Sequence, residues 1–118
     1  MGKTEVPNIF DIVQESTDPF VISFMPSEKY ANINGFVHGG ILFYVCDDII
    51  GRYVTSIGRI GAAADGNIHY YRPAVTDKRL YAYISERKSG KRLGTYFVEL
   101  KNEDGTLIAD ALFTVVFN

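Results

Sequence analysis

The stretch His38–Thr55 reads HGGILFYVCDDIIGRYVT and is the only long helical candidate in the chain. When its residues are projected at about 100° per residue, Asp48 and Arg52 fall on one narrow polar strip. Almost all the rest of the circumference is apolar, and a helix of that kind is buried on most sides. The sequence therefore predicts a central helix around which the rest of the chain is wrapped.

The segments on either side of this helix have the alternation and composition of β-strands. One strand is expected from Pro19 to Ser23, before the helix. Four more are expected after it, joined by turns, over 62–71, 79–87, 93–101 and 106–117. Short connections make successive strands antiparallel neighbours. The predicted fold class is therefore α+β, with an antiparallel sheet of about five strands wrapped around one helix.

The length and the N-terminal pattern complete this prediction. At 118 residues the chain is expected to form one domain, 1–118. A short amphipathic pattern over 7–15 predicts one or two helical turns, within an N-terminal helical segment over 1–18. One helix cannot cover both faces of the sheet, so an apolar face or edge remains. That remainder predicts a homo-oligomer.

Composition and charge exclude several classes of protein. The net charge of −2 provides no overall basic field of the kind that non-specific nucleic-acid binding relies on. No segment has the apolar length of a membrane span or a signal peptide. The single cysteine, Cys46, excludes an internal disulfide and a multi-cysteine zinc site, and it fits a reducing compartment. We therefore expect a cytoplasmic protein with neither a nucleic-acid nor a membrane partner.

The run His38-Gly39-Gly40 lies at the start of the predicted helix. The first N–H groups of a helix lack internal partners, and the helix dipole adds positive potential there. Two glycines allow a ligand to approach these N–H groups closely, which is typical of an anion or oxyanion site. The same glycines also fit an interpretation in which they only allow tight packing or an unusual turn. The sequence leaves both open.

Asp47 is the candidate catalytic carboxylate. It follows Gly40 by seven residues and therefore returns to nearly the same helical face, where it interrupts an apolar stripe. An ionised carboxylate buried without a partner is costly, so such a residue is usually kept for chemistry or for a specific donor. A hydrogen bond from the helix to a loop is the alternative. Asp48, by contrast, has Arg52 at i+4 and is interpreted as a solvated ion pair.

Three further polar residues lie near this helix. The side chain of Asn32 can donate to a polarised carbonyl, while His38 can donate, accept or only pack. The separation of His38 from Asp47 does not match a short helical metal motif, so no metal is proposed. Cys46 has no obvious cationic neighbour and is interpreted as a small buried hydrophobe rather than a nucleophile.

Taken together, these residues resemble a known family. The run from Asn32 to Gly40 followed by Asp47-Asp48 is similar to the hot-dog-fold thioesterases of the phenylacetate-degradation (PaaI-like) group. The likeness continues through Asn67–Pro73, which resembles the strand of that family that ends in proline. It extends to Asn102–Ala109, which resembles its last hairpin. The resemblance covers the chain from about Asn32 to the C-terminus.

The resemblance implies an acyl-CoA thioesterase in which two chains pair edge to edge, with active sites at the dimer interface. Dimers of such dimers are common in the group, so a homotetramer is one expected assembly. Coenzyme A would be part of the substrate, and no other cofactor is implied. The acyl group stays open among phenylacetyl, hydroxyphenylacetyl, benzoyl and medium-chain fatty acyl groups.

The resemblance also implies residue roles. The backbone N–H of Gly39 or Gly40 and the side chain of Asn32 would polarise the thioester carbonyl. Asp47, from the other chain, would be the general base or the nucleophile. His38 would help to position Asn32 or the thioester.

One position departs from the pattern of the family. Some members have a serine on the strand after the helix, where this chain has Ala63, so no hydroxyl can orient a water there. This departure affects the delivery of water but not the predicted reaction class. The spacing of His38-Gly39-Gly40 and Asp47 favours hydrolysis over two alternatives, and Ala63 supports only the first of them. The first is a non-catalytic acyl-CoA-binding module. The other is a hydratase or dehydratase, because one fold hosts many chemistries.

Four cations are candidates for binding the phosphates of coenzyme A. Lys88, Lys91 and Arg92 surround one predicted turn, and Arg72 follows the first strand after the helix. Several cations around one turn suit phosphate oxygens. A solvated hairpin without a ligand explains the same charges equally well.

Overall fold

The computed structural model describes residues 8–118 and contains one long helix and one six-stranded antiparallel sheet in that range. The helix α1 spans Gly39–Ser56, and a single 3₁₀ turn occupies Glu28–Tyr30. The strands are β1 Val13–Thr17, β2 Phe20–Phe24, β3 Gly61–Tyr70, β4 Leu80–Ser89, β5 Leu93–Asn102 and β6 Leu107–Phe117. The α+β architecture is the one predicted, with one strand more than the five or so expected.

Helix α1 lies against the inner face of the sheet and contacts every strand from β2 to β6. Its buried residues are Leu42, Val45, Cys46, Ile49, Ile50 and Val54. Alternate residues of β5 and β6 meet them from the sheet, including Tyr96, Val98, Leu100, Ala111, Phe113 and Val115. Each buried aliphatic or aromatic side chain of this kind contributes about 1.5–3 kcal/mol of transfer free energy. The prediction of a helix at the centre of the fold is confirmed, but one side of it is exposed in the single chain.

The order of strands differs from the predicted succession of neighbours. The observed order is β1-β2-β4-β5-β6-β3, so β3 pairs with β6 instead of β4. The segment between β3 and β4 is not a hairpin turn, because it crosses the end of the sheet. Ala74 accepts a hydrogen bond from the Val37 N–H, and Val75 forms a bridge with Phe36. These contacts hold the crossover against the loop before α1 and leave β3 at the edge.

The predicted N-terminal helical segment is wrong for the described residues. No helix occurs between residues 8 and 18, and β1 instead forms a hairpin with β2. Asp11 has a φ of +52°, which ends any right-handed turn. The side chain of Asn8 bonds both the N–H and the carbonyl of Ile12, and thereby turns the chain into the strand. Residues 1–7 of the predicted segment lie outside the described residues.

In the described residues, strand β3 is one of the two edge strands of the sheet, and β1 is the other. Within residues 8–118, β3 pairs only with β6, and eight of its ten residues are exposed. Its first half, Gly61–Gly66, consists of glycine and alanine apart from Asp65. An open edge with small side chains is a surface on which another strand can pair. Among the described residues, no helix combines the length and hydropathy that a membrane span requires.

Candidate functional site

The loop before α1 holds the side chain of Asn32 in one orientation. Its Oδ1 accepts hydrogen bonds from the N–H groups of Asn34 at 2.9 Å and Phe36 at 3.1 Å. Gly35, with a φ of +83°, makes the tight turn between them. Because two N–H donors must meet the amide oxygen, the Nδ2 group is the end of the side chain left to donate elsewhere. The half-buried Asn32 is therefore a fixed donor.

Helix α1 begins without a side-chain cap. His38 is the N-cap residue, its side chain makes no capping hydrogen bond, and its carbonyl accepts from the N–H groups of Ile41 and Leu42. The N–H groups of Gly39 and Gly40 have no backbone partner in the part of the chain that the structure describes. They lie at the positive end of the helix, where a developing negative charge is stabilised.

The two glycines at this helix start have different surroundings. A Cβ on Gly39 would lie 3.0 Å from the ring carbon and the oxygen at the end of the Tyr70 side chain. A Cβ on Gly40 would meet nothing within 4 Å. Tight packing therefore accounts for Gly39, whereas an added side chain at Gly40 would have free space. The interpretation of the pair as an anion or oxyanion site stays a prediction.

Asn32 and Gly39 line one cleft. It has a volume of about 410 Å³ and lies at the end of the sheet where the crossover from β3 to β4 passes. Its walls are mostly apolar and are formed by Asn32, Phe36, Val37, Gly39, Leu42, Tyr70, Tyr71, Arg72, Pro73 and Ala74. An apolar cleft with a few polar donors at one end is typical of a small-molecule site.

Asp47 lies in a different groove, between α1 and the start of β3. This groove has a volume of about 790 Å³, and Gly51, Ala62 and Ala63 are among the residues that line it. Gly40 and Asp47 are seven residues apart in one helix, which places their backbones about 10 Å apart along its axis. One chain therefore does not bring the carboxylate of Asp47 to the donors of Asn32 and Gly40.

The burial of the two neighbouring carboxylates is the reverse of the prediction. Asp47 is exposed in the single chain, whereas Asp48 has a side chain only 19% exposed and is paired with Arg52. The i, i+4 ion pair was predicted correctly, but its solvation was not. Asp47 shares an exposed stripe of α1 with Gly40 and Gly51, because the sheet of its own chain covers the opposite side of the helix.

The pKa of Asp47 is raised above its ordinary value. Partial burial of the carboxyl group in the groove is the larger cause, and the negative charge of Asp48 raises the pKa further. The residue as a whole is exposed, so covering this groove would strengthen the first effect. A carboxylate with a raised pKa is a stronger base than an ordinary aspartate once it is ionised.

Cys46 is buried, as predicted. Burial raises its pKa to about 12, and the charges of Asp110 and Asp47 add to the effect. A thiol that stays protonated at neutral pH is not a nucleophile. Within residues 8–118, no three His, Cys, Asp or Glu side chains form a cluster that could hold a metal ion.

The four candidate cations lie at opposite ends of the sheet. The N–H of Arg72 donates to Ile108 at the start of β6, whereas the carbonyl of Arg92 accepts from Phe117 at its end. Nine residues of extended strand separate these points by about 30 Å. Lys88 and Lys91 share the second end with Arg92, and all four side chains are exposed. A single chain therefore does not place Arg72 beside the other three.

Tyr70 makes a contact with the helix start that the sequence did not predict. It lies at the end of β3, opposite the buried Ala109, and faces α1. Its hydroxyl donates to the carbonyl of Gly39 at 2.8 Å. The alternation of β3 indicates that Ile68 and Tyr70 face the same side. No local signal in the sequence pairs Tyr70 with Gly39, because the contact joins residues 31 positions apart.

Comparison with known proteins identifies a family. The model of the thioesterase superfamily matches residues 34–109. A putative esterase of Deinococcus radiodurans is 28% identical over 105 residues, which cover 88% of this chain and 71% of the esterase. The acyl-coenzyme A thioesterase PaaI of Escherichia coli is 26% identical over 99 residues, which cover 84% of this chain and 71% of that protein.

Solved structures agree with this assignment. The structure of the E. coli PaaI protein from the phenylacetic acid degradation operon has a TM-score of 0.87 at 25% identity, covering 91% of this chain and 83% of that one. A hypothetical thioesterase of Streptococcus pneumoniae, solved with coenzyme A, also has a TM-score of 0.87 at 25% identity. That match covers 92% of this chain and 86% of the other.

Proposed function

The chain belongs to the thioesterase superfamily and is a thioester hydrolase of the hot-dog fold, and we propose that it hydrolyses acyl-CoA thioesters in active sites shared by two chains. The observation that carries the proposal is that Asn32 and the helix start at Gly39 line one cleft, whereas Asp47 lies in a different groove. The two sets of groups have the chemistry of one hydrolytic site, but a single chain holds them apart.

The exposed edge at β3 supports a site that two chains complete together. The start of β3 lines the Asp47 groove, and its end lines the cleft that contains Asn32. If two β3 edges pair antiparallel, the start of one strand lies beside the end of the other. A two-fold axis would then place the cleft of each chain beside the partner's groove. The exposure of Asp47 in the single chain agrees with this arrangement.

The proposed reaction uses three groups. The Nδ2 of Asn32 and the N–H of Gly40 donate to the thioester carbonyl oxygen and stabilise the negative charge that develops on it. The carboxylate of Asp47 takes a proton from water, and the resulting hydroxide attacks the carbonyl carbon. The carbon–sulfur bond of the tetrahedral intermediate then breaks. Coenzyme A leaves as the thiolate, which takes up the proton, and the free acid remains.

The proposal also assigns a role to His38 and includes a second mechanism, in which Asp47 is the nucleophile. The side chain of His38 is exposed at the helix start and makes no hydrogen bond to Asn32 in the described residues, so we assign it to the thioester. Direct attack by the Asp47 carboxylate would give a mixed anhydride, which water then hydrolyses. Solvent oxygen-18 that enters the Asp47 side chain during single turnover distinguishes this route from general-base catalysis.

The proposed substrate, an aryl- or fatty-acyl-CoA, is supported by the cleft and by the relatives. An apolar cleft of about 410 Å³ suits an aryl or fatty acyl group. The acyl-CoA thioesterase activity of the E. coli relative and the coenzyme A in the S. pneumoniae structure support a CoA ester. We assign the cations at both ends of the sheet to the CoA phosphates, since edge-paired chains would bring opposite ends together. A cytoplasmic location and a dimer of dimers complete the proposal.

One observation favours a second function. Ala63 lines the Asp47 groove and presents only a methyl group where a hydroxyl could orient water. A protein that binds acyl-CoA without turnover would tolerate that loss.

Thiol release from a panel of aryl- and fatty-acyl-CoAs tests both functions. The wild type should turn over, and Asp47→Asn should lose at least the ~10²–10⁴-fold that general bases contribute. Asp48→Asn is the matched control, because it makes the same chemical change at the neighbouring position and should keep most of the activity. Tight binding of every CoA ester without thiol release would replace hydrolysis with the binding function.

A further inference from the structure

Tyr70 touches the one peptide group that links the two glycines at the helix start. Its hydroxyl donates to the carbonyl oxygen of Gly39 at 2.8 Å. The carbonyl of Gly39 and the N–H of Gly40 belong to the same planar peptide unit. A bond that holds the carbonyl therefore also holds the N–H of Gly40, which has no backbone partner in residues 8–118. We propose that Tyr70 is a positioning residue that orients and polarises the Gly40 N–H as the oxyanion donor, an inference that rests on the proposed thioesterase reaction.

Tyr70 is the residue outside α1 that bonds to this peptide group in the described residues. The N-cap residue His38 provides no side-chain cap, and the first turn of α1 contains no acidic residue. The ring of Tyr70 lies so close to Gly39 that an added Cβ would be 3.0 Å from it, so the hydroxyl cannot move inward. At Gly40, an added Cβ would meet nothing within 4 Å, and the N–H has no backbone partner in the part of the chain that the structure describes. Tyr70 thus holds the carbonyl of this peptide, while its N–H stays available to a ligand.

The expected electronic effect has a known direction. When a carbonyl oxygen accepts a strong hydrogen bond, electron density moves away from the amide nitrogen, and the N–H becomes a better donor. Burial raises the pKa of Tyr70, so its hydroxyl keeps its proton at neutral pH and remains a donor. This effect is useful only while the oxygen of the substrate carries extra negative charge. The contribution should therefore appear in kcat more than in KM.

The test compares Tyr70→Phe with Tyr83→Phe. The first removes the hydroxyl and keeps the ring against Gly39. The second makes the same change on the outer face of the sheet, where the Tyr83 ring contacts Lys101. Loss of a whole oxyanion donor reduces kcat by ~10²–10³-fold, and hydrogen-bond cooperativity is ~10–30% of such an effect in free energy, so Tyr70→Phe should lower kcat about two- to eightfold. KM, the unfolding temperature and the activity of Tyr83→Phe should stay unchanged.

A spectroscopic measurement separates this inference from the proposed function. In ¹⁵N-labelled protein, the amide proton of Gly40 should shift upfield in Tyr70→Phe and stay in place in Tyr83→Phe. If the wild type hydrolyses thioesters and Tyr70→Phe keeps its full kcat or its Gly40 shift, the inference is overturned and the function stands. A matching rise in KM or a fall in the unfolding temperature would show a merely structural role. If the wild type hydrolyses no CoA ester, both proposals are wrong.

Discussion

The division of the site between two chains predicts that two inactive variants will restore each other's activity. Asn32→Ala removes the donor from the cleft, and Asp47→Asn removes the base from the groove, while each leaves the other half of the site intact. Each variant alone should be nearly inactive. A mixed dimer, however, has one site with Asn32 from one chain and Asp47 from the other, and one site that lacks both.

The expected magnitude follows from counting sites. Random mixing of equal amounts makes about half of the dimers mixed, and half of their sites are complete, so about a quarter of wild-type activity should return. The variants are co-refolded from denaturant, and thiol release is followed with the best acyl-CoA. Each variant refolded alone controls for recovery. If every site lay within one chain, no activity would return on mixing.

A second mixture makes the counting more stringent. The double variant Asn32→Ala/Asp47→Asn is co-refolded with an equal amount of wild type. Shared sites are complete only in wild-type dimers, so about a quarter of the activity should remain. Sites within one chain would leave about half. Half the activity in this mixture, together with none in the first, would refute the shared site while leaving the thioesterase reaction in place.

Three further outcomes are expected. Asp48→Asn removes a negative charge that raises the pKa of Asp47, so the acid limb of the profile of kcat/KM against pH should move to lower pH. An unmoved acid limb would contradict the role of Asp47 as the base. Gly40→Ala should leave the free energy of unfolding unchanged or raise it by up to about 1 kcal/mol in denaturant unfolding, because the added Cβ meets nothing. Its kcat should fall, because the methyl group enters the space proposed for the ligand. Cys46, buried with a pKa of about 12, should resist a thiol-specific reagent at pH 8 until denaturant is added; rapid labelling of the folded protein would show that the helix opens.

The sequence alone determined the elements whose signals are local. The apolar circumference of residues 38–55 predicted α1 to within one residue at each end. The alternation after Gly58 located the four later strands to within two residues, and Asn102–Gly105 was correctly predicted as a hairpin turn. The Gly40 and Asp47 positions were also placed on one face of the helix by periodicity. Each of these patterns repeats over a few neighbouring residues, about every 3.6 residues in a helix and every two in a strand. The sequence near each element is therefore enough to define it.

Only the tertiary structure decided which strands are neighbours and which side of the helix is covered. The placement of β3 beside β6 depends on hydrogen bonds between residues about 40 or more positions apart, and no local pattern encodes them. The conversion of the predicted N-terminal helix into β1 depends on pairing with β2. The sheet covers one side of α1 and leaves Asp47 exposed, and Tyr70 reaches Gly39 only because β3 ends beside the helix start. The periodicity of a sequence shows which residues share a face of a helix or strand. Only the packing of the whole chain decides whether that face contacts another element or solvent.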